Sequence, residues 1–448
     1  MKENLRILHI NDLHSHFEAY PKIKRFFAEH SVCDAEVIRL DLGDNIDKSH
    51  PMTAVTAGRA NIELMNELGI DLATIGNNEG IGLSKTELNQ VYDQAQFHVI
   101  LNNLTDREER PSWAKPYYIY ETRLGTKIAF LAYTFPYYLT YQPNGWAVED
   151  PLSCLERDLA VPEVKTADFR ILMSHLGIKV DEKITQVYPQ IDLIIGAHTH
   201  HVFEEGGELN GTYLAAAGKY GQFVGEINLT FDQHRLDAID IVAHETSYLP
   251  SEPLDKIWSQ DFTAKGRQLL DQVLLADLPQ ALDLQESCQL LMDAMLDYAK
   301  ADVVLTNSGL VVNPFPARIT RDTLHHALPH QMRLAKIEVT LEELEAICRD
   351  VYSQGKLLAR QEIRGMGFRG KEFGQVLCSG FAYKNGKIVY NKQVINKKDR
   401  LQLVVVDQYC FASYFETIHS KKAELLFPHL LREVLEDYLR KKSMKGDL

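Results

Sequence analysis

Six cysteines in 448 residues are few, and they stand singly at Cys33, Cys154, Cys288, Cys348, Cys378 and Cys410. No C-x-x-C pair occurs, which excludes the common structural-zinc and redox motifs. No apolar run approaches the ~18 residues of a membrane span. The N-terminus, Met1-Lys2-Glu3-Asn4-Leu5-Arg6, carries neither an apolar h-region nor a small-residue cleavage site. These absences predict a cytoplasmic protein whose thiols are reduced and mostly buried. Positive charge is also short: 48 Lys and Arg stand against 62 Asp and Glu, for a net charge of −14. That balance argues against a general binder of nucleic acid polymers or of anionic membranes. An acidic protein that handles phosphate must concentrate positive charge locally, through metals and a few arginines. Apolar residues make up 45% of the chain, enough to bury more than one core. The length predicts two or three domains.

Possible metal ligands are plentiful, and they occur in one order. Asp12-Leu13-His14 comes first, then Gly43-Asp44, Gly76-Asn77, His175 and His198-Thr199-His200. The D-x-H and H-x-H pairs each follow an apolar run that reads as a strand, Leu5–Ile10 and Ile191–Ile195. Strand residues i and i+2 point the same way, so each pair can hold a cation at a strand end. The mixture of imidazole, carboxylate and one amide suits Mn, Fe, Co or Zn better than Ca or Mg. Seven ligands are too many for one tetrahedral ion and suit two divalent ions sharing a carboxylate. Two adjacent metals are a usual apparatus for hydrolysing phosphate esters.

The first half alternates strand-like and helix-like segments, the pattern of an α/β domain. Strands are predicted at Leu5–Ile10, Glu36–Leu40, Leu72–Ile75, His98–Leu101, Lys127–Tyr133, Phe169–Ser174 and Ile191–Ile195, with Gly211–Ala216 and Phe223–Phe231 closing the domain. Helices are predicted over Met52–Leu68 and Lys85–Gln94. Every ligand falls at or just past a strand's C-terminal end, where open α/β sheets place their sites. The expected domains are 1–245 and 277–448, joined by a linker over 246–276 with a connecting helix from Leu254 to about Leu275.

The run D-x-H, G-D, G-N-x-E, H and G-x-H-T-H resembles the calcineurin-like metallophosphoesterases. Thr306-Asn307-Ser308-Gly309, Ile319-Thr320-Arg321-Asp322, Leu328-Pro329 and Cys378-Ser379-Gly380-Phe381 are similar to the C-terminal domain of the 5′-nucleotidase / UDP-sugar hydrolase family. The resemblance covers nearly the whole chain. It implies a layered β-sandwich metallophosphoesterase domain flanked by helices, then an α/β substrate-recognition domain. It also implies that Asp12, His14 and His200 bind one metal, that Asn77, His175 and His198 bind the second, and that Asp44 bridges them. The implied chemistry is attack of a metal-bound hydroxide on phosphorus, with a nucleotide or related phosphate ester as substrate.

Several positions depart from that family. Asn78 stands where its catalytic histidine is usual, and Ile81 where the partner aspartate is. Asparagine can donate a hydrogen bond but cannot supply a proton at neutral pH, and a missing general acid typically costs about 10²–10⁴-fold. This keeps two alternatives open: hydrolysis of a cyclic phosphodiester or nucleotide-sugar pyrophosphate, whose leaving group needs less help, or a weakly active nucleotide-binding protein. Val312 stands near the family's usual arginine, with Arg318 as a distant substitute. The segment 363–374 is expected to compensate: Arg364 and Arg369 would contact phosphate, Phe368 or Phe373 would stack on a base, and its glycines would permit close approach. Asn307 either contacts substrate or satisfies a turn, the turn being favoured. Phe411 faces either ligand or core. His9 is read as a packed or surface residue, and His16 and His201 as neighbours of the site mouth only.

Overall fold

The structure is a computed structural model. It describes residues 2–107, 109–360, 367–390, 400–413 and 415–445. The chain forms two units, Met1–Gly266 and Arg267–Leu448.

Strand Lys2–Ile10 shows how the first unit is built. Its residues alternate between two faces. Leu5 and Ile7 join Ile128, Phe130, Ile171 and Met173 in a core between two sheets. Leu8 and Ile10 join Ile23 and Phe27 of helix Tyr20–His30 and Met65 of helix Arg59–Leu68. Strand Lys127–Thr134 repeats the scheme, with Ala129, Leu131 and Tyr133 sharing a core with helices Pro151–Leu159 and Ile178–Val187. The product is four layers, helix–sheet–sheet–helix.

The first sheet has seven strands, in spatial order Arg235–Glu245, Phe223–Asp232, Lys2–Ile10, Glu36–Asp41, Leu72–Ala73, His98–Ile100 and Ala114–Lys115. The second has six: Gly207–Leu209, Thr212–Ala215, Leu193–Gly196, Phe169–His175, Lys127–Thr134 and Tyr117–Glu121. Lys2–Ile10, Glu36–Asp41 and Leu72–Ala73 run parallel, as do Lys127–Thr134, Phe169–His175 and Leu193–Gly196. Each sheet therefore delivers its ligand-bearing strand ends to one edge.

Two predicted elements change. The helix expected over Met52–Leu68 is two helices, Pro51–Thr56 and Arg59–Leu68. Ala57 and Gly58 lie in the left-handed region and turn the chain between them, with Gly58 against Ile46. The expected connecting helix is Pro253–Asp271, and the division between units falls inside it. Its first part belongs to the first unit: Trp258 stacks on Tyr20, and a Cβ on Gly266 would come within 2.4 Å of the Met52 backbone nitrogen.

The second unit centres on a five-stranded sheet, in order Val376–Ser379, Val303–Asn307, Arg400–Val406, Leu334–Thr340 and Glu424–Leu426. Its core includes residues of helices Leu284–Ala299, Leu341–Leu358 and Leu431–Lys445. Among the described residues no helix is long and apolar enough to cross a membrane. The six cysteines are unpaired; Cys154, Cys288 and Cys348 are buried and Cys33 is exposed.

Candidate metal centre

The predicted ligands leave their strands on backbone that L residues rarely adopt. Asp12 (φ +50°), His14 (+49°), Asp44 (+52°), His198 (+72°) and His200 (+58°) are all left-handed. Each such residue costs on the order of 1–2 kcal/mol, so the surrounding structure must hold it there. Asp12 N donates to Gly43 O (3.0 Å) and His14 N to Asp44 O (2.8 Å), which ties the first loop to the second. Glu79 ties the second to the third. Its buried carboxylate accepts from Asp44 N (3.0 Å), Ile46 N (2.8 Å) and Gly76 N (2.9 Å). Two glycines make this approach feasible. A Cβ on Gly43 would fall 2.3 Å from Gly76 N, and one on Gly76 would fall 2.0 Å from Asp44 Oδ1 and 2.5 Å from His175 Nε2.

The side chains then gather into two groups. Asp12, His14 and His200 form one and Asp44, His175 and His198 the other, each offering ligand atoms within 4.8 Å of one another. Asp44 Oδ2 lies 3.4 Å from His175 Nε2 and 3.7 Å from His14 Nε2, so one carboxylate oxygen faces a ring from each group. His14 Nε2 and His200 Nε2 are 3.3 Å apart. Two buried atoms test whether cations fit. His175 Nε2 and Asn77 Oδ1 have no hydrogen-bond partner in the protein. His175 Nδ1 meets Leu42 O at 2.8 Å, which fixes the tautomer that leaves Nε2 for a cation. A buried polar atom that makes no hydrogen bond is costly, and a divalent cation would give each of these atoms a partner.

Comparison with known proteins agrees with this geometry. The sequence pattern of the calcineurin-like phosphoesterases matches residues 5–202. The uncharacterised metallophosphoesterase YunD of Bacillus subtilis (strain 168) is 34% identical over 461 residues, covering 97% of this chain and 99% of that protein. The chain is a calcineurin-like metallophosphoesterase. It is also similar, at 25% identity, to the trifunctional nucleotide phosphoesterase protein YfkN of B. subtilis (strain 168), over 60% of this chain but only 20% of that longer protein. The 5′-nucleotidase precursor of Thermus thermophilus shares the fold across 98% of this chain and 96% of its own, with a TM-score of 0.58 and 18% identity. The NAD nucleotidase of Haemophilus influenzae does so over the same shares, with a TM-score of 0.63 and 14% identity. Membership makes this chain a divalent-metal-dependent hydrolase of phosphoester bonds.

The electrostatics of the metallophosphoesterase centre suit metal capture. Burial would depress His175, but Asp44 and Asp12 outweigh it and lift the imidazole to about 10. Burial raises Asp12 to about 7, against the pull of His175. For Asp44, burial is outweighed by His175 and His14, which hold it below the ordinary carboxylate range. His198 and His200 are pushed down to about 4, chiefly by burial, and stand neutral at pH 7 with lone pairs available.

Asn78 lies beside this centre. Its backbone N–H donates to Asp44 Oδ1 (2.7 Å), and its side-chain amide contacts His14 Nδ1 (2.8 Å) and Asp47 Oδ2 (3.4 Å). Ile81 packs against the apolar core. His9 is buried across Gly225 of the neighbouring strand, and burial pushes it down to about 3. His16 stacks on Tyr220, and His201 meets Thr199 Oγ1 at 3.0 Å.

Sequence reasoning missed the residues that hold the loops. Glu79 occupies the N3 position after the Gly76 cap and accepts from Gly76 N, half of a capping box, since glycine has no side chain to complete it. Asn11 donates to Asp12 Oδ2 (2.9 Å) and Gly218 O (2.7 Å), and Asn61 to Ser15 Oγ and Asn45 Oδ1 (both 3.0 Å). No local pattern reveals those contacts. The aromatic neighbours of His198 were missed too: Phe135 stacks on it, and the Tyr137 hydroxyl lies 3.5 Å from its Nε2.

In the second unit the expected substrate contacts need correction. Phe373 is 1% exposed and Phe368 4% exposed; both belong to the apolar core, and Phe368 stacks on His330. Neither offers a free face to a base. Glycines of this segment approach protein backbone: a Cβ on Gly367 would fall 2.4 Å from Gln331 O, and one on Gly374 2.9 Å from Gly309 N. Asn307 is buried, its Nδ2 donating to Phe373 O and its Oδ1 accepting from Tyr409, so it fixes the turn. Arg369 is exposed. Arg364 lies outside the described residues. Arg318 pairs with Asp271 at 2.9 Å, Val312 is exposed, and Phe411 is half-buried.

Proposed function

We propose that this chain releases phosphate from nucleotides at a two-metal centre built from Asp12, His14, Asp44, Asn77, His175, His198 and His200. The observation that carries the two-metal reading is a pair of buried atoms that make no hydrogen bond: His175 Nε2, which lies 3.4 Å from Asp44 Oδ2, and Asn77 Oδ1. Asp12, His14 and His200 would hold one cation, and Asn77, His175 and His198 the other. Asp44 would bridge the two. Two divalent cations, of the Mn, Fe, Co or Zn type, would lower the pKa of a water and neutralise the phosphoryl oxygens.

The chain's own residues would do the rest. Glu79 and the Gly43–Gly76 contact hold the ligand loops. Asn78 would support His14: with Nε2 on a cation, Nδ1 keeps its proton, and the asparagine must turn its Oδ1 to accept it. Its backbone N–H steadies Asp44. In the second unit, which we read as the substrate-recognition domain, exposed Arg369 would contact phosphate. The nucleotide preference is supported by the printed activities of the relatives, among them a probable 5′-nucleotidase of Treponema pallidum (strain Nichols), 25% identical over 276 residues.

Asn78 favours one further reading. A bond with a good leaving group, such as a cyclic phosphodiester or a pyrophosphate link, would need no acid from that position. A protein that only bound nucleotide would have no physical need for both histidine pairs around Asp44. The deciding experiment is phosphate release by Mn²⁺-loaded protein from nucleoside monophosphates, cyclic nucleotides and nucleotide sugars, with a coupled phosphatase to reveal diester cleavage and Asp44→Asn as blank. Turnover well above the blank on monophosphates supports the nucleotidase. Turnover confined to diesters or sugars moves the assignment to them. None on any substrate, with metal bound, contradicts both.

A further inference from the structure

The segment Gly218–Gly221 sits at the rim of the metal centre and is held in costly backbone. Gly218 (φ +67°), Tyr220 (+59°) and Gly221 (+65°) are left-handed within four residues. Tyr220 is neither glycine nor asparagine, so its conformation must be imposed by its surroundings. The anchors are the ligand loops themselves. Tyr220 N donates to Asp12 O (2.8 Å), Gly218 N donates to His201 O (3.0 Å), and Gly218 O accepts from Asn11 Nδ2 (2.7 Å), the same amide that donates to Asp12 Oδ2.

The result is a fixed aromatic shelf beside one ligand group. The Tyr220 ring stacks on His16 (centroids 3.8 Å apart), meets His14 edge-on at 5.5 Å and lies 6.4 Å from His200. On that shelf rests the ammonium of Lys219, 4.6 Å from the ring centroid. Lys219 is half-buried, and among the described residues no carboxylate pairs with it within 4.0 Å.

We propose that Lys219, carried by the Tyr220 shelf, is an oxyanion-binding residue on the His14–His200 side of the metal centre. It would take a phosphate-type oxyanion of the substrate. The geometry suits an ammonium to this: a compact, strongly hydrated charge with three donors, preoriented by a cation–π contact and not neutralised by a carboxylate. It also bears on Asn78. An ammonium beside the departing or transferred group offsets negative charge there without supplying a proton. The oxyanion has two sources: the phosphoryl held on the cations, or a second anionic group next to it in the substrate. This inference rests on the two-metal reading above.

The test uses the full-length, Mn²⁺-loaded protein and two probes, inorganic orthophosphate and inorganic pyrophosphate. Affinity is measured by calorimetry for the wild type, Lys219→Gln and Lys219→Arg, with metal content determined by elemental analysis. Loss of one charged hydrogen bond predicts about tenfold weaker binding in Lys219→Gln and recovery of most of it in Lys219→Arg. Weakening of both probes assigns the lysine to the phosphoryl on the metals. Weakening of pyrophosphate alone assigns it to a neighbouring group. Both anions binding within about twofold of wild type in Lys219→Gln, with metal content intact, would overturn the proposal. A wild-type protein that took up no metal would instead overturn the two-metal reading.

Discussion

Asn77 lies just past a buried strand of the first unit and Asn307 ends one in the second, and they are in opposite condition. Asn77 presents a buried Oδ1 with no partner in the protein. Asn307 has both ends of its amide engaged, one by Phe373 O and the other by the Tyr409 hydroxyl. The same contrast runs through their surroundings. Around Asn77, His175 Nε2 is also unpartnered, and several ligands sit in strained backbone. Around Asn307, aromatic rings and glycines are absorbed into packing. A residue type suggests a role, but unfilled capacity in the folded chain is better evidence for one. Protein groups that already satisfy each other have little left for a ligand.

The comparison can be broken or sharpened by substitution. Asp44→Asn is expected to have the largest effect, about 10³-fold or more on phosphate release, together with loss of bound metal by elemental analysis. Phe373→Ala should destabilise the protein by about 3–5 kcal/mol as a core truncation. If the folded fraction instead kept its stability and showed a raised KM, the ring would be a stacking platform and the contrast would fail. Glu79→Gln should cost about 1–3 kcal/mol in denaturant unfolding, because an amide –NH₂ must face a backbone N–H that now finds an acceptor. It should also weaken metal retention, since Glu79 joins two ligand loops.

The last expected effect is a change with pH instead of a fixed loss: a slope in stability from His9. Its folded-state pKa is lowered by burial to about 3 from an ordinary 6.5. Between those values the unfolded chain binds a proton there and the folded chain does not, so this contribution to stability is lost as pH falls from about 6.5 to 3. In His9→Leu the stability difference from wild type should therefore shift in the variant's favour across that window. A difference independent of pH would mean that the buried imidazole does not titrate as its packing requires.

Much of the first unit was legible because its signals are local. Apolar runs marked the strands, and D-x-H and H-x-H marked the loops just past their ends; the two-residue strand period does not hold there, because all four residues are left-handed and His198 and His200 fall in different groups. The order of ligands then led to strand ends that do share one edge of each sheet. What was not legible depends on contacts far apart in sequence. Asn11 to Gly218 and Glu79 to Asp44 cannot be read from spacing alone, although the capping position of Glu79 gave a partial hint. The segment around Phe368 and Phe373 misled for a different reason. Arginine, glycine and phenylalanine interleave both in ligand loops and in loops that pack tightly on their own domain. Only burial separates the two, and it places both rings in the core.

The central claim is that two cations are held by the groups around Asp44 and are required for phosphoester hydrolysis. The most direct test is a titration of the metal-free chain with Mn²⁺, reading bound metal and phosphate release in the same samples, for wild type and Asp44→Asn. The account predicts two ions per wild-type chain, activity that rises with the second, and neither full occupancy nor turnover in the variant. Full activity in Asp44→Asn, or undiminished wild-type turnover with no metal bound, would contradict it.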